Sequence, residues 1–294
     1  MTKTILKLLL SIVVYMVVFL VGNALLPYSP DFRELGASGA ENSKWLLFIL
    51  LNSAWICFTI YFIIRHANFN GVKLFINLLF IMFFVQCFMT QIETLFFTQA
   101  FPVLTKLDIV FIMIASLLPL LVTIPLLIKF FQNKADVIEQ KKIHIKNILV
   151  KLSIIGIMYL FVYMIFGYFI AWQFEELRIF YSGTAEKLNF FGQLLNNLKT
   201  NPIIYPFQVL RGILFGVFLL PLVNMIAKNR FIFITSVCLV YLCTAIMLII
   251  PNALFPDMVR IGHLIEMTVS MFIFGLIVGN ILWNDIKFIQ FKNE

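Results

Sequence analysis

The chain has 294 residues, of which 62% are hydrophobic and 12% charged, and its formal net charge is +8. Soluble domains run at about 25% charged residues, so half that charge beside 34 phenylalanines excludes an ordinary water-soluble fold. Continuous apolar runs of about 20 residues point to spanning helices rather than to the alternating strands of a barrel.

Taken in order, the apolar runs predict eight transmembrane helices at about 4–26, 45–64, 74–98, 109–131, 148–174, 203–226, 231–250 and 259–283. The expected fold class is therefore all-α, a polytopic membrane helix bundle forming one domain over 1–294. The first run, Leu8–Leu26 behind Lys3 and Lys7, exceeds the roughly 7–15 residues of a signal-peptide core, so a retained first helix is expected. Pro119 and Pro125 in the fourth span and Pro221 in the sixth are expected to bend their helices. The stretch 251–258, PNALFPDM, predicts a tight turn that makes the last two spans antiparallel neighbours.

Lysine and arginine decide orientation. With the N-terminus inside, the inner segments hold 14 of these residues and the outer segments 7, which predicts both termini in the cytoplasm. The loop QNKADVIEQKKIHIKN (132–147) is the most basic inner piece and is read as topology-setting charge. The net positive charge faces anionic lipid, so the lipid bilayer is the expected partner and nucleic acid is not. The expected location is a plasma or inner cell membrane.

The outer loop after the fifth span contains EKLNFFGQLLNNLK (186–199), with Leu188, Phe191, Leu195 and Leu198 at helical spacing. This predicts an amphipathic helix in the outer interface, acting as a float or as a lid.

Polar residues gather at one depth. A helix rises 1.5 Å per residue, which puts Glu93 roughly 6–8 Å, Arg211 about 12 Å, His263 about 6 Å and Glu266 about 10 Å below the outer boundary. Gln86, Thr90 and Glu93 are expected on one face of the third span, and Gln208 one turn above Arg211. His263 and Glu266 share a face by their i,i+3 spacing. Glu176 and Arg178, in EELR, sit at the same boundary. A charge near the bilayer centre costs about 2.5–3.5 kcal/mol, so Glu93 and Arg211 are expected to face each other or a polar cleft shared with His263 and Glu266. Arg260 is expected to reach the outer headgroups. Gly212 with Gly216, and Gly275 with Gly279, are small-xxx-small pairs that predict close helix approach. Asn52 and Asn77 are expected to bond between helices.

Three functions fit this cluster. The first is an ion- or proton-coupled carrier or binding protein for a small polar or anionic ligand, because intramembrane acids, histidine and arginine mark such pathways. The second is a structural, partner or sensor protein whose charges form a register-setting ion-pair network. The third is a membrane-embedded hydrolase or transferase at the outer leaflet, with Glu93, His263 and Glu266 as weak metal candidates. No HExxH, GxSxG, P-loop or dinucleotide fingerprint is present, so no cofactor and no metal is expected. The cysteines Cys57, Cys87, Cys238 and Cys243 lie in apolar runs without CxxC spacing and read as small hydrophobes.

Overall fold

The structure, a computed structural model, describes residues 2–40, 42–132, 147–226, 229–252 and 254–290, with side chains in the last segment to Trp283. Most of the basic loop at 132–147 lies outside the described residues. The helices are α1 (Thr2–Leu25), α2 (Pro30–Ala40), α3 (Trp45–His66), α4 (Gly71–Phe83), α5 (Met89–Phe96), α6 (Lys106–Phe131), α7 (Ile148–Phe169), α8 (Glu175–Ser182), α9 (Phe190–Thr200), α10 (Ile204–Met225), α11 (Arg230–Ile246) and α12 (Asp257–Gln290). Eight helical segments are long and apolar enough to cross a bilayer, with α4 and α5 joined into one of them. This agrees with the eight predicted spans to within a few residues at each end and is consistent with a multi-pass membrane protein.

Long-range contacts show how the spans alternate. At one end, here called proximal, Lys3 of α1, Arg65 of α3 and Phe131 of α6 come together. At the distal end the Ser29 amide and hydroxyl donate to Asp108 at 2.8 and 2.7 Å, which joins the exit of α1 to the start of α6. The short helices α2, α8 and α9 all lie in distal connections. Large apolar side chains stay exposed along α1, α3 and α7, as expected of faces turned to lipid. By contrast, α11 exposes only Phe231 among its large apolar residues.

Glycine decides which helices touch most closely. A Cβ on Gly212 would sit 2.5 Å from the Tyr159 Cβ and 2.8 Å from the Gly156 Cα, while one on Gly156 would sit 2.7 Å from the Val209 carbonyl oxygen. Thus α7 and α10 meet backbone to backbone at a glycine pair. Gly275 and Gly279 do the same for α12, against Cys238 and Ile234 of α11. Both predicted small-xxx-small pairs are used, and Gly156 is the partner that the sequence pattern did not reveal.

The third span is not one regular helix. Residues Phe84–Phe88 form a single wide π turn between α4 and α5. An extra residue in a turn advances everything beyond it by roughly 100° around the axis. The Thr90 hydroxyl donates to the Cys87 carbonyl at 2.7 Å, covering an oxygen near the loosened turn. The four cysteines are buried and free.

At the head of α6, the Thr105 hydroxyl accepts from the Asp108 amide, and the Asp108 carboxylate accepts from the Thr105 amide and hydroxyl. This capping box also takes the two Ser29 bonds, and Asp108 is fully buried. Replacing it by alanine removes a cap worth about 1 kcal/mol together with charge-assisted bonds worth about 1.5–3 kcal/mol each. Asp108→Ala should therefore lower the thermal midpoint in detergent by several degrees, and Asp108→Asn by less. Gly212→Ala should destabilise by about 1–3 kcal/mol, since the added methyl meets backbone and Cβ atoms that cannot rotate away. Ala introduced at Gly36, inside α2 and with no heavy atom within 4 Å of its would-be Cβ, is the matched control and should hold or raise the midpoint, since alanine favours a helix over glycine.

Candidate functional site

Arg211 is the centre of the distal half. It lies two turns into α10, and its side chain is 2% exposed. An arginine buried this far into an apolar helix bundle needs a counter-charge and partners for its donors. Glu93 of α5 supplies the charge with both oxygens, at 2.6 Å to Nη1 and 2.7 Å to Nη2. Nη1 also donates to Gln208 at 3.0 Å and Nη2 to the Met89 carbonyl at 3.4 Å. The guanidinium lies 5.5 Å from the Tyr159 ring centre, 5.8 Å from that of Phe207 and 6.0 Å from that of Phe215. Phe207 itself stacks on Phe96 at 4.0 Å. Two donors here find no partner: Arg211 Nε and Gln208 Nε2. Glu93 is the open side of the pair, with 28% of its side chain exposed.

A second pair lies on α12. His263 Nδ1 is 3.8 Å from Glu266 Oε2, and His263 Nε2 is 3.0 Å from the Tyr181 hydroxyl of α8. Burial raises the Tyr181 phenol above its ordinary pKa, and the Glu93 and Glu266 carboxylates raise it further. Tyr181 is thus a neutral phenol within electrostatic reach of both acids. Tyr159 and Tyr163, one turn apart on α7, also lie in the field of Glu93, Arg211 and Glu266. Three tyrosines therefore lie in the field of both acids.

The tyrosines escaped the sequence analysis, although Tyr159 and Tyr163 have the i,i+4 spacing that places them on one face. The distal roof escaped it as well. Phe101 of the α5–α6 connection, Phe180 of α8 and Phe255 of the α11–α12 turn meet edge to face or tilted, with centres 5.2–5.9 Å apart. Tyr181 packs on Phe97 and on His263. Aromatic side chains from three connections thus cover the charged residues.

Several expectations are corrected. Gln86 does not share a face with Glu93. It donates to the Tyr15 hydroxyl of α1 at 3.4 Å, because the π turn rotates α5 relative to it. Arg178 does not join the cluster. Its buried guanidinium donates to the carbonyls of Ala185, Trp172 and Gln173 and so ties the α7–α8 corner to the following loop. Glu176 is exposed on α8. Arg260 does not reach out of the fold. It is buried and donates to the Leu248 and Ile249 carbonyls and to Asp257 at 2.8 Å, closing the end of α11 onto the start of α12. That buried closure, with the His263–Glu266 pair behind it, explains why Arg, His and Glu open a spanning segment.

Asn77 bonds to the Lys73 carbonyl of its own helix, and both polar atoms of the fully buried Asn52 lack partners, so neither bridges two helices. The outer amphipathic helix begins at Phe190 rather than 186, because the Asn189 side chain caps it by accepting from the Gly192 amide. Its apolar residues Phe191, Leu195 and Leu198 all remain exposed, while α8 supplies the roof. Among the described residues no three His, Cys, Asp or Glu side chains converge as a metal site, so Glu93, His263 and Glu266 do not form a ligand triad.

Compared with known protein families, curated proteins and solved structures, the chain matches none of them.

The pairing of Glu93 with Arg211 has a measurable consequence. Removing one member of a buried pair costs about 3–5 kcal/mol, and replacing both with apolar residues costs less. Glu93→Leu and Arg211→Leu should each lower the thermal midpoint strongly, while the double variant should be more stable than either. A double-mutant cycle should give a coupling energy above about 1 kcal/mol.

Proposed function

We propose that this chain is a carrier for a small polar solute, coupled to a proton, with the Glu93–Arg211 and His263–Glu266 pairs as its site. One observation carries the proposal: the charge count of the cluster does not close. Arg211 contributes one positive charge, Glu93 and Glu266 two negative ones, and His263 is neutral or positive. A single net charge in a low-dielectric site is unfavourable. One proton, on His263 or on a carboxylate, makes the group neutral.

The same count links proton to solute. Arg211 presents a two-pronged donor whose natural partner is a carboxylate or phosphate group. Glu93 occupies that fork and is partly exposed. A proton placed on Glu93 weakens its hold and frees the fork for an anionic solute. Proton and anion then enter as a neutral pair. The aromatic roof of Phe97, Phe101, Phe180, Tyr181 and Phe255 is the element that would open to admit them. In this proposal both termini lie in the cytoplasm and the roof faces outward across a plasma or inner membrane, as the excess of lysine and arginine at the proximal end favours.

A register-setting network is the second proposal. It draws on the bidentate closure of Glu93 on Arg211, which a purely structural pair would also show.

Proteoliposomes with an entrapped pH dye separate the two. Small carboxylates, amino acids and phosphate esters are added outside under an imposed pH gradient. A carrier gives solute-stimulated acidification of the interior that Glu266→Gln abolishes while the thermal midpoint stays near wild type. No solute-dependent proton movement in the wild type, or equal movement in Glu266→Gln, would sink the carrier proposal.

A further inference from the structure

The distal helix α9 takes no part in the charged cluster, and its surface divides into three sectors. Residues in a helix follow one another at about 100°. Phe191, Leu195 and Leu198 fall on one stripe and are 74%, 57% and 55% exposed. Gln193, Leu194 and Asn197 form the next sector and are half-buried, with the Gln193 side-chain amide donating to Asn197 Oδ1 at 2.9 Å. Asn196, Lys199 and Thr200 make the third sector, which is exposed and polar.

Tyrosines from two spanning helices hold α9 in this rotation. The Tyr168 hydroxyl of α7 donates to the Leu188 carbonyl at 2.8 Å, and the Tyr205 hydroxyl of α10 donates to the Leu194 carbonyl at 2.7 Å. Phe169 ends a stripe of exposed apolar residues on α7 that includes Ile154, Ile157, Phe161 and Ile165. Its ring stacks on Phe190 with centres 5.4 Å apart, and Phe190 meets Phe191 at 5.4 Å. Ring contacts thus carry the exposed apolar surface of a spanning helix onto the stripe of α9.

We infer that α9 docks on the lipid leaflet at the distal end of the bundle, with Phe191, Leu195 and Leu198 inserted between headgroups and acyl chains. The inference rests on the apolar helices crossing a bilayer and is independent of the carrier proposal. Lipid is the occupant because the stripe continues the apolar face of α7, and because three sectors fit three surroundings: bundle, acyl chain and water. Helices of this kind bury their apolar side about 5–10 Å into the headgroup boundary. Lys199 lies between the apolar and the polar sector, where its stem covers apolar surface and its ammonium reaches the headgroups. One acid, Glu186, and two lysines, Lys187 and Lys199, leave the segment with a single net positive charge. Apolar insertion is therefore the driving force, and a neutral lipid suffices.

The test measures lipid depth by electron paramagnetic resonance on the full chain in phosphatidylcholine nanodiscs. Phe191→Cys, Leu195→Cys, Leu198→Cys and Asn196→Cys are labelled one at a time with a nitroxide, and Phe161→Cys on α7 marks the acyl region. All five positions are exposed, so each variant should keep the wild-type thermal midpoint. Phe161 is eight residues before Phe169, about 12 Å along the helix. The native cysteines Cys57, Cys87, Cys238 and Cys243 are buried, so the label favours the introduced thiol. Oxygen, which concentrates among acyl chains, and a water-soluble nickel chelate are the two relaxing agents.

Labels at Phe191→Cys, Leu195→Cys and Leu198→Cys should collide more with oxygen than with nickel, at a shallower depth than the Phe161→Cys label. The Asn196→Cys label should show the reverse ratio. That reversal within one helical turn supports docking on lipid. Predominant nickel collisions at all four α9 positions, with Phe161→Cys in lipid, would place the helix in water and overturn the inference. Loss of both kinds of collision along the stripe overturns it too, since the face then packs on protein such as a second copy. Free access of nickel to Phe161→Cys overturns the membrane reading of the spans and the inference with it.

Discussion

A guanidinium cannot shed its proton, so Arg211 enters the apolar interior charged and obliges the fold to bring a countercharge to it. Among the described residues one carboxylate pairs with it, that of Glu93. The consequences spread through the distal half. The fork of Arg211 needs two carboxylate oxygens in one plane, so α5 must approach α10 at a set rotation. The π turn at Phe84–Phe88 sets that rotation for α5 independently of α4, which packs by its own residues below. The Gly156–Gly212 contact brings α7 close enough for the Tyr159 ring to face the guanidinium. Helix register, backbone distance and side-chain charge are thus three aspects of one constraint.

The distal charged groups lie beside partners within the chain: Arg211 with Glu93, Arg260 with Asp257, and Glu266 next to His263. Two more, Asp108 and Arg178, are satisfied by hydrogen bonds to local backbone and hydroxyl groups. An aromatic roof then covers the central pairs. At the proximal end Lys3, Lys7 and Arg65 share a cavity with the aromatic pair Tyr61 and Phe131.

Much of the candidate site was legible because hydrocarbon makes polar residues conspicuous. Glu93 and Arg211 stood out by residue type, and counting residues from the span ends put them near one depth. His263 and Glu266 were joined by i,i+3 spacing, which holds in any regular helix. Gln86 failed the same test because it sits in an irregular turn, and a wide turn leaves no reliable mark in an apolar run. Arg178 and Arg260 were misplaced for another reason. Both are near the boundary, where an arginine can reach water or cap carbonyls with similar ease, and neighbouring backbone decides which. Asn52 shows the limit of residue type alone, since its burial was foreseen and its lack of a partner was not.

The sequence by itself determined the class of structure, the number of spans, the glycine faces and the set of ionisable groups that hydrocarbon forces inward. These follow from transfer free energies and helical periodicity, which act residue by residue along the chain. Only the tertiary structure decided that Gly156 meets Gly212, that α8 rather than α9 roofs the charges, that three tyrosines lie in the field of both acids, and that Lys3, Lys7 and Arg65 share a cavity. Those are contacts between segments far apart in the chain, set by how helices pack and rotate against one another, and no local pattern encodes them.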